Sequence, residues 1–96
     1  LEEARQARLL LHVVDASNPA AEEHIRSVNS VLAELGCQSK QTILVLNKID
    51  RLADRSGLHV LMAHHPKAVA ISGATGEGLD TLRDAVIEAL TADYIE

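Results

Sequence analysis

The sequence alternates short apolar runs with longer segments of helical periodicity, and this alternation limits the folds that the chain can adopt. Each of three strand-length runs is followed by a segment whose apolar residues recur every three or four positions. Because strands that alternate with helices pair in parallel, the pattern predicts an α/β fold with one three-stranded parallel sheet and flanking helices. The predicted strands are about residues 8–14, 42–47 and 67–72, and the predicted helices are about residues 19–36, 56–64 and 78–93.

The composition is that of one small domain. The chain has 96 residues, of which 47% are hydrophobic, and this is enough for a single core. Nine basic residues against 14 acidic ones give a net charge of −5, which argues against binding nucleic acid or an anionic membrane through a broad basic patch. The single cysteine, Cys37, excludes an internal disulfide. With no apolar run of membrane-spanning length, we expect a soluble cytoplasmic protein.

The second predicted strand ends in Asn47, Lys48, Ile49 and Asp50, at the edge where open parallel sheets bind ligands. These residues match the polar edge of guanine. A carboxylate at Asp50 accepts from both N1–H and the N2 amino group, a donor pair that adenine lacks, and the amide of Asn47 donates to N7. The stem of Lys48 lies along the base plane while Ile49 points into the core. The alternative is that Asn47 and Asp50 only form a turn and cap a helix.

A glycine-rich turn, residues 72–78, follows the third predicted strand and therefore lies beside the Asn47–Asp50 motif. The backbone N–H groups of Ser72, Gly73 and Ala74 are predicted to face O6 of the same base. Two later glycines let the turn bend tightly toward the next helix. Two motifs on neighbouring strand ends, both suited to one base, are more specific than either motif alone.

Two other functions fit parts of the sequence. The turn at residues 72–78 resembles the Thr-Gly-Ala-Thr-Gly turn of short-chain dehydrogenases, which would make the chain a Rossmann-type NAD-binding fragment. The dinucleotide-binding turn of that class has a third glycine at the position of Leu79. It is also followed, after a further strand about twenty residues on, by an acidic residue, and the given sequence has ended by then. The remaining alternative is an α/β interaction domain that binds no nucleotide.

Three segments together resemble one known family. Residues 10–19, 43–50 and 69–80 look like the C-terminal half of a translation-factor-type G domain, and they most resemble the HflX family of ribosome-associated GTPases. The resemblance implies that the motif at residues 47–50 specifies the base of GTP or GDP and that residues 72–74 close over it. It also implies a full-length protein that hydrolyses GTP with Mg²⁺ and acts on ribosomes, chiefly at the large subunit.

The chain departs from the family pattern in two respects. The family usually has Ser-Ala where this chain has Ser72 and Gly73; because the backbone makes the contact, the resemblance implies a loss of rigidity rather than of specificity. No Gly-x-x-x-x-Gly-Lys-Ser/Thr motif occurs, and the chain opens on Leu1 without methionine. We therefore expect residues 1–96 to be a truncated G domain without the phosphate loop, the switch regions, or any catalytic or metal-binding residue.

Further expectations follow from the truncation. Residues 2–7 would be the end of the helix that follows the second switch, and the Asp-x-x-Gly match at residues 54–57 would be chance, since it comes after the base motif. The chain alone should bind GTP weakly or not at all and hydrolyse none. The run at residues 9–14 lacks alternation, which predicts a strand covered on both faces. Left at a sheet edge by the truncation, this strand would favour self-association.

The histidines carry no predicted ligand role. His12, inside the first strand, is predicted to pack its ring in a partly buried position. His64 and His65 are adjacent on a predicted helix, where their side chains diverge by about 100°, so they are interpreted as a solvated helix end.

Overall fold

A computed structural model describes residues 7–37 and 39–91, and its strands and helices alternate along the chain. The elements are β1 (Leu9–Asp15), α1 (Ala21–Glu34), β2 (Gln41–Asn47), α2 (Ser56–His64), β3 (Val69–Ala70) and α3 (Leu79–Thr91), with one 3₁₀ turn, Ile49–Arg51, after β2. The helix end expected at residues 2–7 lies, apart from Ala7, outside the described residues, and so do positions 92 and 93.

The three strands form one parallel sheet in the order β1-β2-β3. The β1–β2 register runs from Leu9 opposite Gln41 to Asp15 opposite Asn47. All three strands therefore end at the same edge of the sheet, which we call the carboxyl edge. The predicted α/β fold with three parallel strands is confirmed.

Helices cover the sheet from both sides. Val45 and Leu46 are consecutive on β2 and both are buried, so their side chains enter opposite faces. Leu46 belongs to a cluster with residues of α1 and α2, including Ile25 and Leu58, whereas Val45 packs with Val69 and Ile71 against Leu82 of α3. The result is a helix–sheet–helix arrangement, and burial of these aliphatic side chains is its main source of stability.

The third strand is shorter than predicted because its flanking N–H groups bond elsewhere. The prediction covered residues 67–72, but the ladder contains only Val69 and Ala70. Ala68 N–H donates to the His65 carbonyl in the turn that precedes the strand, and Ser72 N–H donates to the Glu77 carbonyl. Ile71 N–H still donates to the Leu46 carbonyl, which keeps the chain beside β2 as far as residue 71.

The prediction that β1 is covered on both faces is wrong. Val14 is buried, but Leu11 and Val13, on the opposite face, keep 48% and 57% of their surface exposed. Helix α3 packs on β2 and not over these two side chains. Within the part of the chain that the structure describes, β1 is the sheet edge and one of its faces is largely open.

Helix α1 is bounded by turns on both sides. The helix was predicted from about residue 19, but Asn18 and Pro19 form a turn in which Asn18 Oδ1 accepts from Ala20 N–H at 2.8 Å, and the helix begins at Ala21. At the other end, Gly36 has a φ of +75°, and Cys37 N–H reaches back to the Leu32 carbonyl at 2.8 Å. These bonds form a Schellman motif in which Gly36 is the left-handed residue that ends the helix.

Candidate functional site: the carboxyl edge of the sheet

Asn47, the last residue of β2, joins two loops through one side-chain oxygen. Its Oδ1 accepts from Lys48 N–H at 2.7 Å and from Gly73 N–H at 3.1 Å. The second bond spans 26 positions and ties the motif after β2 to the turn after β3. With the oxygen engaged twice, the side-chain Nδ2 is the group that remains to donate to a ligand.

Lys48 has the only positive φ of a residue other than glycine in the described chain, at +67°. This left-handed conformation is costly for a residue with a Cβ atom and is often found at functional sites. Its ammonium nitrogen lies 3.5 Å from Asp15 Oδ2, at the end of the neighbouring strand. The Ser17 hydroxyl and N–H hydrogen-bond to Asp15 and, with Lys48, hold the pKa of this carboxyl below its ordinary value.

Asp50 lies in the 3₁₀ turn and bonds to the first residue of the other loop. The Ser72 hydroxyl donates to Asp50 Oδ1 at 2.7 Å and accepts from Thr75 N–H at 3.0 Å. Ser72 is fully buried, at 0% exposure, whereas Asp50 is exposed. Ile49, between Lys48 and Asp50, is buried in the core as predicted. One oxygen of the Asp50 carboxylate is thus held by the buried Ser72 hydroxyl, while the rest of the carboxylate is open to solvent.

The predicted backbone donors of the turn differ in what they contact. Ser72 N–H donates to the Glu77 carbonyl at 2.9 Å, and Gly73 N–H donates to Asn47. These two groups are therefore used inside the protein, contrary to the expectation that both face a base. Among the hydrogen bonds of the described residues, none uses the Ala74 N–H, which leaves it as the candidate donor to O6.

Gly78 lets the turn approach β3 closely. Its φ is +79°, and a Cβ atom at this position would collide with the carbonyl oxygen of Ala70 and lie 3.2 Å from Ile71 Cα. Gly76 also has a positive φ, +87°, but a Cβ there would meet nothing within 4 Å. The predicted need for glycines in this turn is confirmed, and the close approach makes position 78 the more demanding of the two.

Four further residues near this edge were not among the predicted site residues. Asp15 contacts Lys48, and Arg55, directly before α2, forms a two-point ion pair with Glu77 in the turn. These pairs join residues 33 and 22 positions apart, so neither has a local sequence signature. Asp54 has a local role: its Oδ1 accepts from the Ser56 N–H and hydroxyl at 2.9 and 2.6 Å, in the turn that begins α2.

A cavity of about 410 Å³ lies on the sheet face that carries α1 and α2, away from the predicted site residues. Its lining includes His12, Thr42, His64, His65 and Lys67, and none of the six predicted site residues. Thr42 and Lys67 mark the amino-terminal side of the sheet, where ligands of open α/β sheets are not expected. The candidate nucleotide site is therefore the carboxyl edge.

The histidines beside this cavity are less solvated than predicted. His65 Nε2 lies 2.8 Å and His64 Nδ1 3.4 Å from the carboxylate of Glu22 on α1, so the pair connects two helices. The hydrogen bond from His65 is the main cause that lowers the pKa of Glu22. The interpretation of residues 64 and 65 as a solvated helix end is wrong for His65, which is mostly buried.

The partly buried position predicted for His12 is confirmed, and burial lowers its pKa.

The sequence of this chain is similar to those of curated proteins that share one name. The chain is 40% identical to the GTPase HflX of Escherichia coli (strain K12) over 97 aligned positions, which cover all of this chain. It is 39% identical to the GTPase HflX of Treponema denticola over 93 residues, and 46% identical to that of Magnetococcus marinus over 82 residues. The chain is homologous to a segment of HflX.

The HflX-like chain spans about a quarter of the length of these curated relatives: 23% of the E. coli protein and 24% of the T. denticola protein. No protein-family model matches it. In fold it is similar to Aquifex aeolicus Era Y63A, crystallised bound to GDP·AlF₄⁻, with a TM-score of 0.59 and 23% sequence identity over 92% of this chain and 31% of Era. The fold of the HflX-like chain is therefore similar to that of part of Era.

The described residues, 7–37 and 39–91, lack two kinds of feature. No helix there is long and apolar enough to cross a membrane. No group of three or more His, Cys, Asp or Glu side chains there is placed to hold a metal ion.

Proposed function

We propose that this chain carries the base-recognition part of a guanine-nucleotide site. The observation that carries the proposal is the pair of bonds between the two loops, Asn47 to Gly73 and Asp50 to Ser72. These bonds hold an amide, a carboxylate and a backbone N–H group at one edge of the sheet. Each of these groups is complementary to a different part of guanine.

The three groups have distinct roles in the proposal. Asn47 Nδ2 donates to N7, because its Oδ1 is occupied by two backbone N–H groups. Asp50 accepts from N1–H and the N2 amino group, since a carboxylate has about four acceptor sites and the Ser72 hydroxyl uses one. Ala74 N–H donates to O6, and the stem of Lys48, fixed at its end by Asp15, lies along the base.

We further propose that residues 1–96 are the base-recognition half of a G domain within a longer, ribosome-associated GTPase. The relatives named GTPase HflX support this, because the chain matches about a quarter of their length. The 96 residues contain no phosphate-loop motif. Contacts to the phosphates and Mg²⁺ are therefore assigned to other segments of such a protein.

The proposal is tested by titrating the ¹⁵N-labelled chain with GDP, ADP and NAD and following its amide NMR signals. Without phosphate contacts we expect weak binding of GDP, on the order of 1 mM or weaker. The signals of Lys48, Gly73 and Ala74 should shift with GDP and not with ADP or NAD. Equal shifts with ADP or NAD, or none with GDP in the millimolar range, would contradict base recognition by this chain.

An exchange of base specificity gives a sharper test. An amide in place of the Asp50 carboxylate presents a donor where guanine also presents one, but xanthine carries a carbonyl at that position. Asp50→Asn should therefore lose its preference for GDP over ADP and gain one for xanthosine diphosphate. Asp80→Asn, on the exposed side of α3, is the matched control and should keep the preference for GDP.

We also propose that the chain associates with itself through β1. The strand is the edge of the described sheet, and Leu11 and Val13 are exposed on its open face. Light scattering should show mass that increases with concentration, and Leu11→Thr with Val13→Lys should reduce this increase. A strict monomer at high concentration would refute the proposal.

A further inference from the structure

Arg55 and Glu77 form a planar two-point ion pair on the outside of the candidate site. Arg55 Nη1 lies 3.0 Å from Glu77 Oε2, and Arg55 Nη2 lies 3.0 Å from Glu77 Oε1. This fork-to-fork geometry is the strongest and most directional arrangement available to the two side chains. Each partner is about half exposed, with 45% and 49% of the side-chain surface accessible.

The pair joins the two segments that carry the base-recognition groups. Arg55 follows the Asp50 turn and directly precedes α2, while Glu77 lies near the end of the 72–78 turn. The Glu77 carbonyl accepts from Ser72 N–H, so the residue is also fixed to the start of its own turn. The ion pair is thus a third link between the loops, outside the Asp50–Ser72 and Asn47–Gly73 bonds.

Charge gives Arg55 a second effect. The negative charge of Asp50 acts on Glu77 and opposes the lowering of its pKa, which Arg55 causes chiefly by hydrogen bonding. The charges of the Asp50 and Glu77 carboxylates therefore interact weakly at this edge, and Arg55 neutralises that of Glu77. Without the guanidinium, repulsion between Glu77 and Asp50 would push the turn away from the Asp50 segment.

We propose that Arg55 and Glu77 are positioning residues that hold the 72–78 turn closed over the guanine base. The inference rests on the proposed guanine site and adds residues that hold it in shape. A solvated surface pair would stabilise the fold little. The expected effect is therefore on loop order and base affinity, rather than on the unfolding midpoint.

The two residues are expected to contribute unequally. Arg55→Ala removes the link and leaves two unneutralised carboxylates, so it should weaken GDP binding about two- to fivefold. Glu77→Gln removes the link and the repulsion together and should have a smaller effect. The double variant Arg55→Ala/Glu77→Gln should bind GDP as well as Glu77→Gln alone. Arg55→Lys keeps the charge without the fork and should fall between the wild type and Arg55→Ala.

The closing experiment combines the GDP titration with amide hydrogen exchange in the ligand-free chain. In Arg55→Ala the Gly73 and Thr75 amides should exchange faster, because their bonds to Asn47 and Ser72 open more often. Arg83→Ala, which removes an exposed arginine of α3, is the control and should change neither readout. Rescue by the second substitution distinguishes positioning from a general loss of folding.

The outcomes separate the two proposals. A wild-type chain with no preference for GDP over ADP overturns the guanine site and, with it, this inference. A wild-type chain with that preference, together with an Arg55→Ala variant of unchanged affinity and unchanged amide exchange, overturns the role of Arg55 and Glu77 alone. Faster exchange at Gly73 and Thr75 with weaker GDP binding, both restored in the double variant, supports it.

Discussion

The carboxyl edge of the sheet and the outer face of β1 differ in how completely their side chains find partners within the chain. Polar side chains are bonded to one another at the edge, whereas apolar side chains on the outer face of β1 remain exposed. At the carboxyl edge, side-chain bonds from Asn47, Asp50 and Asp15 connect all three strand ends. On the outer face of β1, Leu11 and Val13 remain about half exposed, and no described element covers them. The difference shows that bonds within the described chain fix the groups proposed to recognise a ligand, whereas the same chain leaves one face of β1 largely unburied.

The largest expected effect on the carboxyl edge comes from Gly78→Ala. The new Cβ would collide with the Ala70 carbonyl at a positive φ, so the 72–78 turn must move away from β3. We expect a loss of about 2–4 kcal/mol in the free energy of unfolding, measured by urea denaturation.

Two glycines separate the causes of that loss. Gly76→Ala also places a Cβ atom on a residue with positive φ, but without a collision. It should lower the free energy of unfolding by about 1 kcal/mol. Gly57→Ala, in helix α2 with open space around it, should stabilise the chain by about 0.5 kcal/mol. A loss at position 78 no larger than at position 76 would show that the close approach to Ala70 is unimportant.

Ser72→Ala should have the next largest effect. The substitution removes the donor to Asp50 and leaves the Thr75 N–H without the acceptor of a part-buried hydrogen bond. We expect a loss of about 1–2 kcal/mol, again from urea denaturation. Ser30→Ala, on the exposed side of α1, should stay within about 0.5 kcal/mol of the wild type. A loss from Ser72→Ala as small as that of Ser30→Ala would contradict the anchoring role of the Ser72 hydroxyl.

Gly73→Ala should strengthen the same edge modestly. A Cβ at this position would lie 3.7 Å from Asn47 Oδ1, an ordinary contact, and the φ of Gly73 is not positive. Alanine should therefore raise stability by about 0.4–1 kcal/mol by restricting the unfolded chain, without changing GDP preference. Destabilisation, or loss of that preference, would mean that the loop needs glycine here.

As the pH falls, the stability contributed by β1 should be lost first and that contributed by the carboxyl edge second. The effect at β1 should be the smallest of those predicted here. Burial and the charge of His65 lower the pKa of His12 below 6.5, so the unfolded chain takes up this proton more readily than the folded one. Stability contributed by a neutral His12 is complete above pH 6.5 and is lost as the pH falls through the lowered pKa. In His12→Gln the urea midpoint should change less between pH 7 and 5.5 than it does in the wild type.

At the carboxyl edge the loss should begin at lower pH. The pKa of Glu77 is lowered from 4.5 by Arg55, and that of Asp15 from 3.8 chiefly by Ser17. The stability that these ionised groups contribute is present above those ordinary values and is lost as the pH falls through the lowered ones. A wild-type midpoint that first declines only below pH 4.5 would contradict the role of His12.

The order of elements and much of the candidate site could be predicted from the sequence because both depend on local signals. Helix α2 has the predicted bounds, since a turn signal at Asp54 and a proline after His65 flank its periodic segment. The six predicted site residues lie at one edge because parallel strands end together. The short β3 could not be predicted, because it depends on which acceptor takes each flanking N–H group.

The remaining features depend on contacts between distant residues. The Arg55–Glu77 pair, the Asp15–Lys48 pair and the contact of His65 with Glu22 join positions 22, 33 and 43 apart. The exposed face of β1 was missed for a related reason. A continuous apolar run indicates that a strand can be covered on both faces, but it does not identify the element that covers it.

The left-handed backbone of Lys48 has a consequence for anyone who redesigns this chain for thermal robustness. A calculation that scores only backbone conformational energy would replace Lys48 with glycine, the residue best suited to a φ of +67°. That replacement would delete the stem proposed to lie along the base and leave Asp15 facing no cation. Optimisation for stability would thus select against the side chain, so position 48 should be held fixed in any library built on this scaffold.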